Sequence, residues 1–267
     1  MDHLINELTI LSGTNRSGEK EGFDKIVIRP GDTLAIVGPT GSGKSAFIND
    51  IEVLAQADTV TGRKILLNGR IPPDDVIRNP AKKPIAMITQ NTQCIADLPV
   101  ERFLSLHITA RGRDPAGLVS KTISLANQFT GELMYPDMRM TSLSGGQSRS
   151  LMIADAIVIG KTPILLLDEI ENAGIFKDRV IACIKDYDKA VLFVTHDPYL
   201  AMITDRRIVM RNGAVACVID PSGAEHKTVE KIGEIESFLS VIRERIRSGD
   251  LILEQQNPVP EREKVVV

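Results

Sequence analysis

An apolar run, Leu34 to Val37, ends in Gly38-Pro39-Thr40-Gly41-Ser42-Gly43-Lys44-Ser45, and helix-compatible sequence begins at Ser45. The spacing is G-x-x-x-x-G-K-[ST], which predicts a loop between a buried strand and a helix. The glycines let the backbone curl until its N–H groups converge, and the first helical turn adds roughly half a positive charge at the same place. Such a turn is a cradle for phosphates. Lys44 is placed to hold the β- and γ-phosphates of a nucleotide, and Ser45 to ligate Mg²⁺.

Other apolar runs fit around this loop. Thr33–Val37, Ile65–Leu67, Ile85–Ile88, Ile164–Leu167 and Val191–Val194 lack polar alternation, which predicts strands buried on both faces with helices between them. Arg207–Met210 and Ala214–Ile219 flank Asn212-Gly213, the mark of a tight antiparallel hairpin, and Asn68-Gly69 signals a similar turn. Val100–His107, Gly117–Phe129 and Ser148–Ile159 read as helices, so residues about 91–159 are expected to form an inserted helical lobe. The fold class is α/β, a P-loop NTPase core with a mixed, mainly parallel sheet, the inserted lobe and antiparallel strands. Residues 1–220 form the core domain. Residues 221–267 add an amphipathic helix, Thr228–Ile246, and a polar tail, Gln255–Val267, expected to be mobile.

Ile164-Leu165-Leu166-Leu167-Asp168-Glu169 delivers two carboxylates at the C-terminal end of a buried strand, the edge where ligands sit in open parallel sheets. Asp168 is placed to hold Mg²⁺ through water, and Glu169 to accept a proton from an attacking water. Leu143-Ser144-Gly145-Gly146-Gln147 opens a helix, and a glycine-rich helix start is a second anion site. Between a phosphate loop and an Asp-Glu strand, this pentapeptide resembles the signature of the ATP-binding cassette (ABC) ATPases.

The resemblance spans roughly Leu4 to Ile219. It implies that two cassettes, expected to be identical copies, pair head to tail. Ser144, Gly145, Gly146 and Gln147 of one would then meet the γ-phosphate held by Lys44 of the other. Gln90 resembles the Q-loop glutamine that touches Mg²⁺ and the attacking water, with Gln93 as a nearby competitor. His196, after the strand Val191–Thr195, resembles the switch histidine that contacts the γ-phosphate. His3, His107 and His226 show no metal-ligand spacing.

Some positions depart from the family. After Asp168-Glu169 come Ile170-Glu171-Asn172-Ala173-Gly174-Ile175, and Ile175 stands where the D-loop aspartate is usual. Coupling between the paired sites is the property this puts in question. The aromatic that stacks on adenine is missing near Asn15 and Arg16, leaving Phe23 or the planar guanidinium of Arg16 as substitutes. Ala154-Asp155-Ala156 follows the signature where arginines are common, read as surface variation or an altered partner contact.

Composition narrows the setting. Net charge is −3, and Lys82-Lys83 and Arg206-Arg207 are too short for nucleic-acid patches, so no nucleic-acid partner is expected. Cys94, Cys183 and Cys217 show neither disulfide nor zinc spacing, which favours a reducing compartment. Met1–Leu11 fits no export or transit signal, and no apolar run approaches the ~20 residues of a membrane-spanning helix. The expectation is a cytoplasmic, Mg²⁺-dependent ATP hydrolase whose dimer closes on ATP. Its first expected role is to energise a transporter through a separate membrane-spanning subunit, at the inner face of the cell membrane. The alternative is a soluble ABC ATPase that remodels a protein or nucleoprotein.

Overall fold

The computed structural model describes residues 5–79, 82–89, 96–160, 162–170, 174–221 and 223–252. Gln90, Gln93, Cys94, Glu171–Ala173 and the tail from Gln255 lie outside the described residues. The elements of the first half are β1 (Leu8–Leu11), β2 (Lys25–Ile28), β3 (Thr33–Val37), α1 (Lys44–Glu52), β4 (Lys64–Leu67), α2 (Asp74–Arg78), β5 (Ile85–Ile88), α3 (Val100–Ala110) and α4 (Leu118–Gln128). The second half adds α5 (Gly145–Val158), β6 (Ile164–Asp168), α6 (Lys177–Asp186), β7 (Ala190–Val194), α7 (Pro198–Ile203), β8 (Arg206–Arg211), β9 (Ala214–Ile219) and α8 (Gly223–Arg247).

Six strands form one sheet in the order β5-β6-β7-β3-β8-β9. β5 through β8 run parallel and β9 returns antiparallel to β8. All five residues of β7 are buried, as are the first four of β3 and of β6, so both faces of the central strands are covered. Alternate residues serve two cores. Leu165, Leu167, Val191 and Phe193 pack with the helical lobe, whereas Ile164, Leu166, Leu192 and Val194 pack with Phe47, Ile48 and Ile51 of α1. Burial of each such side chain stabilises the fold by about 1.5–3 kcal/mol, which fixes the sheet edge from which the functional residues project.

The strand at Ile65–Leu67 has a different place from that expected. β4 joins a separate antiparallel sheet, β2-β1-β4, where Ile65 and Leu67 face inward and Lys64 faces out. One buried face requires a period-two pattern, which three residues were too few to reveal. β1 and β2 had no distinguishing signal of their own. The loop between them, residues 12–24, supplies two side chains to the site described below.

The β8–β9 turn has the expected form, with Asn212 at φ 50° and Gly213 at φ 83°. The chain divides into two compact units, Met1–Pro221 and Ser222–Val267. The second is built on α8, a helix of 25 residues, longer than the expected Thr228–Ile246 stripe. No described helix is long and apolar enough to cross a membrane.

Candidate nucleotide site

The phosphate loop leaves β3 at its C-terminal edge and enters α1 at Lys44. Two glycines are dictated by close approach. A Cβ on Gly38 (φ 151°) would lie 2.5 Å from the Met210 carbonyl oxygen, and one on Gly43 (φ 101°) would lie 2.7 Å from Cα of Gly213. Gly213 N–H also donates to the Ser42 carbonyl at 2.9 Å. The β8–β9 turn is therefore a brace beneath the loop. Among the described residues, buried Ser42 Oγ has no hydrogen-bond partner, while Thr40, Gly41 and Ser45 are exposed on the loop. An unused hydroxyl and exposed loop residues beside a buried lysine suit a loop that takes phosphate.

Lys44 is 8% exposed. Its Nζ donates to the carbonyls of Gly38 at 2.8 Å and Pro39 at 3.2 Å, and lies 3.2 Å from His196 Nε2. His196 Nε2 is in turn 3.9 Å from Glu169 Oε1. β6, β7 and β3 are neighbours in the sheet, so their C-terminal ends bring Glu169, His196 and Lys44 to one edge. Glu169 sits at φ 49°, a left-handed conformation uncommon for a non-glycine residue, and its N–H is fastened to the Val194 carbonyl at 2.9 Å. Asp168, half-buried, ends β6 on the same edge.

What supports His196 carries no local sequence signal. The next residue, Asp197, caps α7 by accepting from Leu200 N–H at 2.8 Å and forms an ion pair with Lys177 at the start of α6. Both side chains are about nine-tenths buried, at 11% and 12% exposure. A second buried node lies beneath the loop. Arg63 is fully buried, donating to Glu21 at 2.6 and 2.9 Å, to Asp50 of α1 at 2.9 Å and to the Gly213 carbonyl at 3.2 Å. Its guanidinium also lies 4.9 Å from the Phe47 ring centre. Burial pushes the Glu21 carboxyl up most, but Arg63 and the N–H groups of Gly13 and Val215 outweigh it and hold the group below its ordinary value.

Of the two proposed adenine substitutes, Phe23 is half-buried and packs on the core beside α1. Arg16 instead lies along the loop, its Nη2 donating to the Gly41 carbonyl at 2.7 Å. Asp155, read as part of a surface stretch, is 6% exposed and pairs with His107 at 2.8 Å inside the lobe.

Ser144, Gly145, Gly146 and Gln147 form a separate group at the start of α5. Ser144 is the N-cap: its Oγ accepts from Gln147 N–H at 3.2 Å, and Gln147 Oε1 accepts from Ser144 N–H at 2.9 Å. The partners beyond this box are lobe residues. Ser144 Oγ donates to Glu132 Oε2 at 2.6 Å, and Gln147 Nε2 donates to the Leu133 carbonyl at 3.1 Å. Within one chain this group stands in the lobe, apart from the Lys44–His196–Glu169 contacts.

Ile175, at the D-loop position, is 5% exposed and belongs to the lobe-side core. It bridges antiparallel to Thr130, and Phe176 N–H donates to the Phe129 carbonyl at 2.8 Å. At this position the apolar side chain is a core anchor.

Among the described residues, no cluster of three or more His, Cys, Asp or Glu side chains forms a cation cage. Mg²⁺ usually takes one or two protein oxygens and completes its shell with phosphate and water. The exposed hydroxyl of Ser45 and the half-buried carboxylate of Asp168 are hard oxygen donors of that kind.

Comparison with known proteins agrees with this architecture. The family model described as ABC transporter matches residues 25–172. An uncharacterised ABC transporter ATP-binding protein of Methanocaldococcus jannaschii is 47% identical over 92% of this chain and 94% of its own. A thiamine import ATP-binding protein of Brucella suis is 30% identical over 83% of this chain and 93% of its own. A dimeric ATP-binding cassette in a post-hydrolysis state, bound to ADP and Pi, shares the fold with a TM-score of 0.60 at 22% identity, covering 81% of this chain and 99% of that one. The chain belongs to the ABC transporter family, as an ATP-binding subunit that hydrolyses ATP to energise transport.

Proposed function

We propose that ATP binds with its phosphates on the loop Gly38–Ser45, and that hydrolysis uses Lys44, Glu169 and His196 in one chain with Ser144–Gln147 of a second copy. The observation that carries this reading is the contact series from Lys44 Nζ to His196 Nε2 at 3.2 Å and on to Glu169 Oε1 at 3.9 Å. Lys44 exchanges its bonds to the Gly38 and Pro39 carbonyls for phosphate oxygens, a charge-assisted replacement at little cost in geometry. Loop N–H groups and the α1 N-terminus neutralise the triphosphate. Ser45 and Asp168 would hold Mg²⁺, which would offset the negative charge of the phosphates.

Glu169 polarises a water and accepts its proton as the water oxygen bonds to the γ-phosphorus. The bond from that phosphorus to the bridging oxygen breaks, leaving ADP with the electron pair. His196 donates to a γ-phosphate oxygen from the same edge. Gln90 retains the role the family resemblance gives it, and its position lies outside the described residues. Arg16, whose Nη2 donates to the Gly41 carbonyl, would stack its planar guanidinium on the base.

Work comes from closure on two ATP molecules and reopening after hydrolysis, a bistable pair biased by chemistry. A separate membrane-spanning subunit would convert that motion into transport, with this chain at the cytoplasmic face. The relatives are named for import of different solutes, thiamine in one and zinc in another, so energising rather than cargo choice is what they share. Light scattering with Mg-ATP tests the pairing. Glu169→Gln should trap an ATP-dependent dimer and abolish phosphate release, while wild type releases phosphate and cycles. A Glu169→Gln protein that binds ATP and stays monomeric at all concentrations would refute the homodimer.

A further inference from the structure

We propose that the Glu132 carboxylate occupies, in the single chain, the hydrogen-bond position that a partner's γ-phosphate takes on pairing, and so restrains ATP-driven dimer formation. The proposal rests on the trans role of Ser144 given above and adds a regulator to it.

Ser144 has one hydroxyl proton. It points to Glu132 Oε2 at 2.6 Å, while one Oγ lone pair accepts from Gln147 N–H at 3.2 Å. The donor needed by a phosphate is thus already spent on a carboxylate. Glu132 stands over the start of α5, a helix of 14 residues whose N–H groups favour an anion. A full negative charge there repels an incoming phosphate as well as filling its place. For ATP to bridge two chains, Glu132 must swing away, and its exposed position leaves room for that.

The carboxylate is delivered there by the fold. Leu133, the next residue, accepts from Gln147 Nε2 at 3.1 Å, and Glu132 N–H donates to Thr130 Oγ1 at 3.3 Å. Thr130 itself, 5% exposed, is bridged to the core anchor Ile175. A segment pinned on both sides holds the side chain against the serine at small entropic cost. A supporting strut for the signature could look the same in a single structure, but it differs in sign. Removing a strut weakens the dimer, whereas removing a competitor strengthens it.

The full chain carrying Glu169→Gln supplies a non-hydrolysing background for light scattering against Mg-ATP. Adding Glu132→Ala should lower the ATP concentration for half-dimerisation about tenfold, the scale of one charge-assisted hydrogen bond. Glu132→Gln, which keeps an acceptor and drops the charge, should fall between. ATP affinity of the monomer, read at protein concentrations too low for pairing, should not change. Ser144→Arg separates the two layers of the argument. If Ser144→Arg prevents pairing while Glu132→Ala leaves it equal or weaker, the trans site stands and the competitor is refuted. If Ser144→Arg pairs like its parent, the trans reading falls and the Glu132 proposal falls with it.

Discussion

The phosphate loop and the signature end of α5 are both glycine-rich anion sites at helix starts, yet they are supported in opposite ways. Beneath the loop sits a fully buried charge node, Arg63 with Glu21 and Asp50, which ties α1, the 12–24 loop and the β8–β9 turn together. At the signature Ser144 is bonded to the carboxylate of Glu132, on the surface. The first site is braced by buried charges within one chain. The second is filled by a side chain that can leave. A site that must bind nucleotide in every state benefits from rigidity, and one that must join only on pairing benefits from a reversible occupant.

That contrast can be broken at several points. Lys44→Met should have the largest effect on turnover, lowering phosphate release about 10³–10⁴-fold, because it removes the charge that meets the phosphates; a steady-state phosphate assay reads it. Arg63→Met comes next. It strands two buried carboxylates and should cost about 3–5 kcal/mol in denaturant unfolding. Loss of less than 1 kcal/mol would show that the node is not a brace.

Gly43→Ala probes the loop alone. With φ at 101° and a Cβ 2.7 Å from Gly213 Cα, it should weaken ATP binding by about tenfold through strain of about 1–3 kcal/mol, seen by calorimetric titration. Glu21→Gln sharpens the comparison by pH. Because the Glu21 carboxyl titrates below its ordinary value, its contribution is complete above about pH 4.3 and is lost as pH falls through the lower folded-state value. The variant should therefore be less stable at neutral pH and show a shallower acid limb in thermal melts. Glu132→Ala, the surface counterpart, should change unfolding stability by no more than about 0.5 kcal/mol.

How much of this was legible in the sequence depended on the distance over which each signal acts. The phosphate loop, Asp168-Glu169, Ser144–Gln147 and the Asn212-Gly213 turn are local patterns whose geometry is set within a few residues, and the structure places each at the end of the expected strand or helix. Arg63 was invisible because nothing around it in the chain marks a buried arginine. Its partners are 13 and 42 residues away. Ile175 was visible as a departure, but its cause was not, since the bridge to Thr130 is a tertiary fact. β4 was misplaced for the same reason. A three-residue apolar run is compatible with either sheet, and pairing with β1 decides it.

The segment from Phe129 to Leu133 is joined at one end to Phe176 and at the other to Gln147. Five residues reach at most about 18 Å even when fully extended, so the tether has little slack. It holds the signature and the residues Ile175 and Phe176 at the two ends of one short stretch of chain. The same segment is thus linked to the start of α6, where Lys177 pairs with Asp197 beside His196, so its backbone ties lie within one short stretch of chain from the turn that carries that histidine.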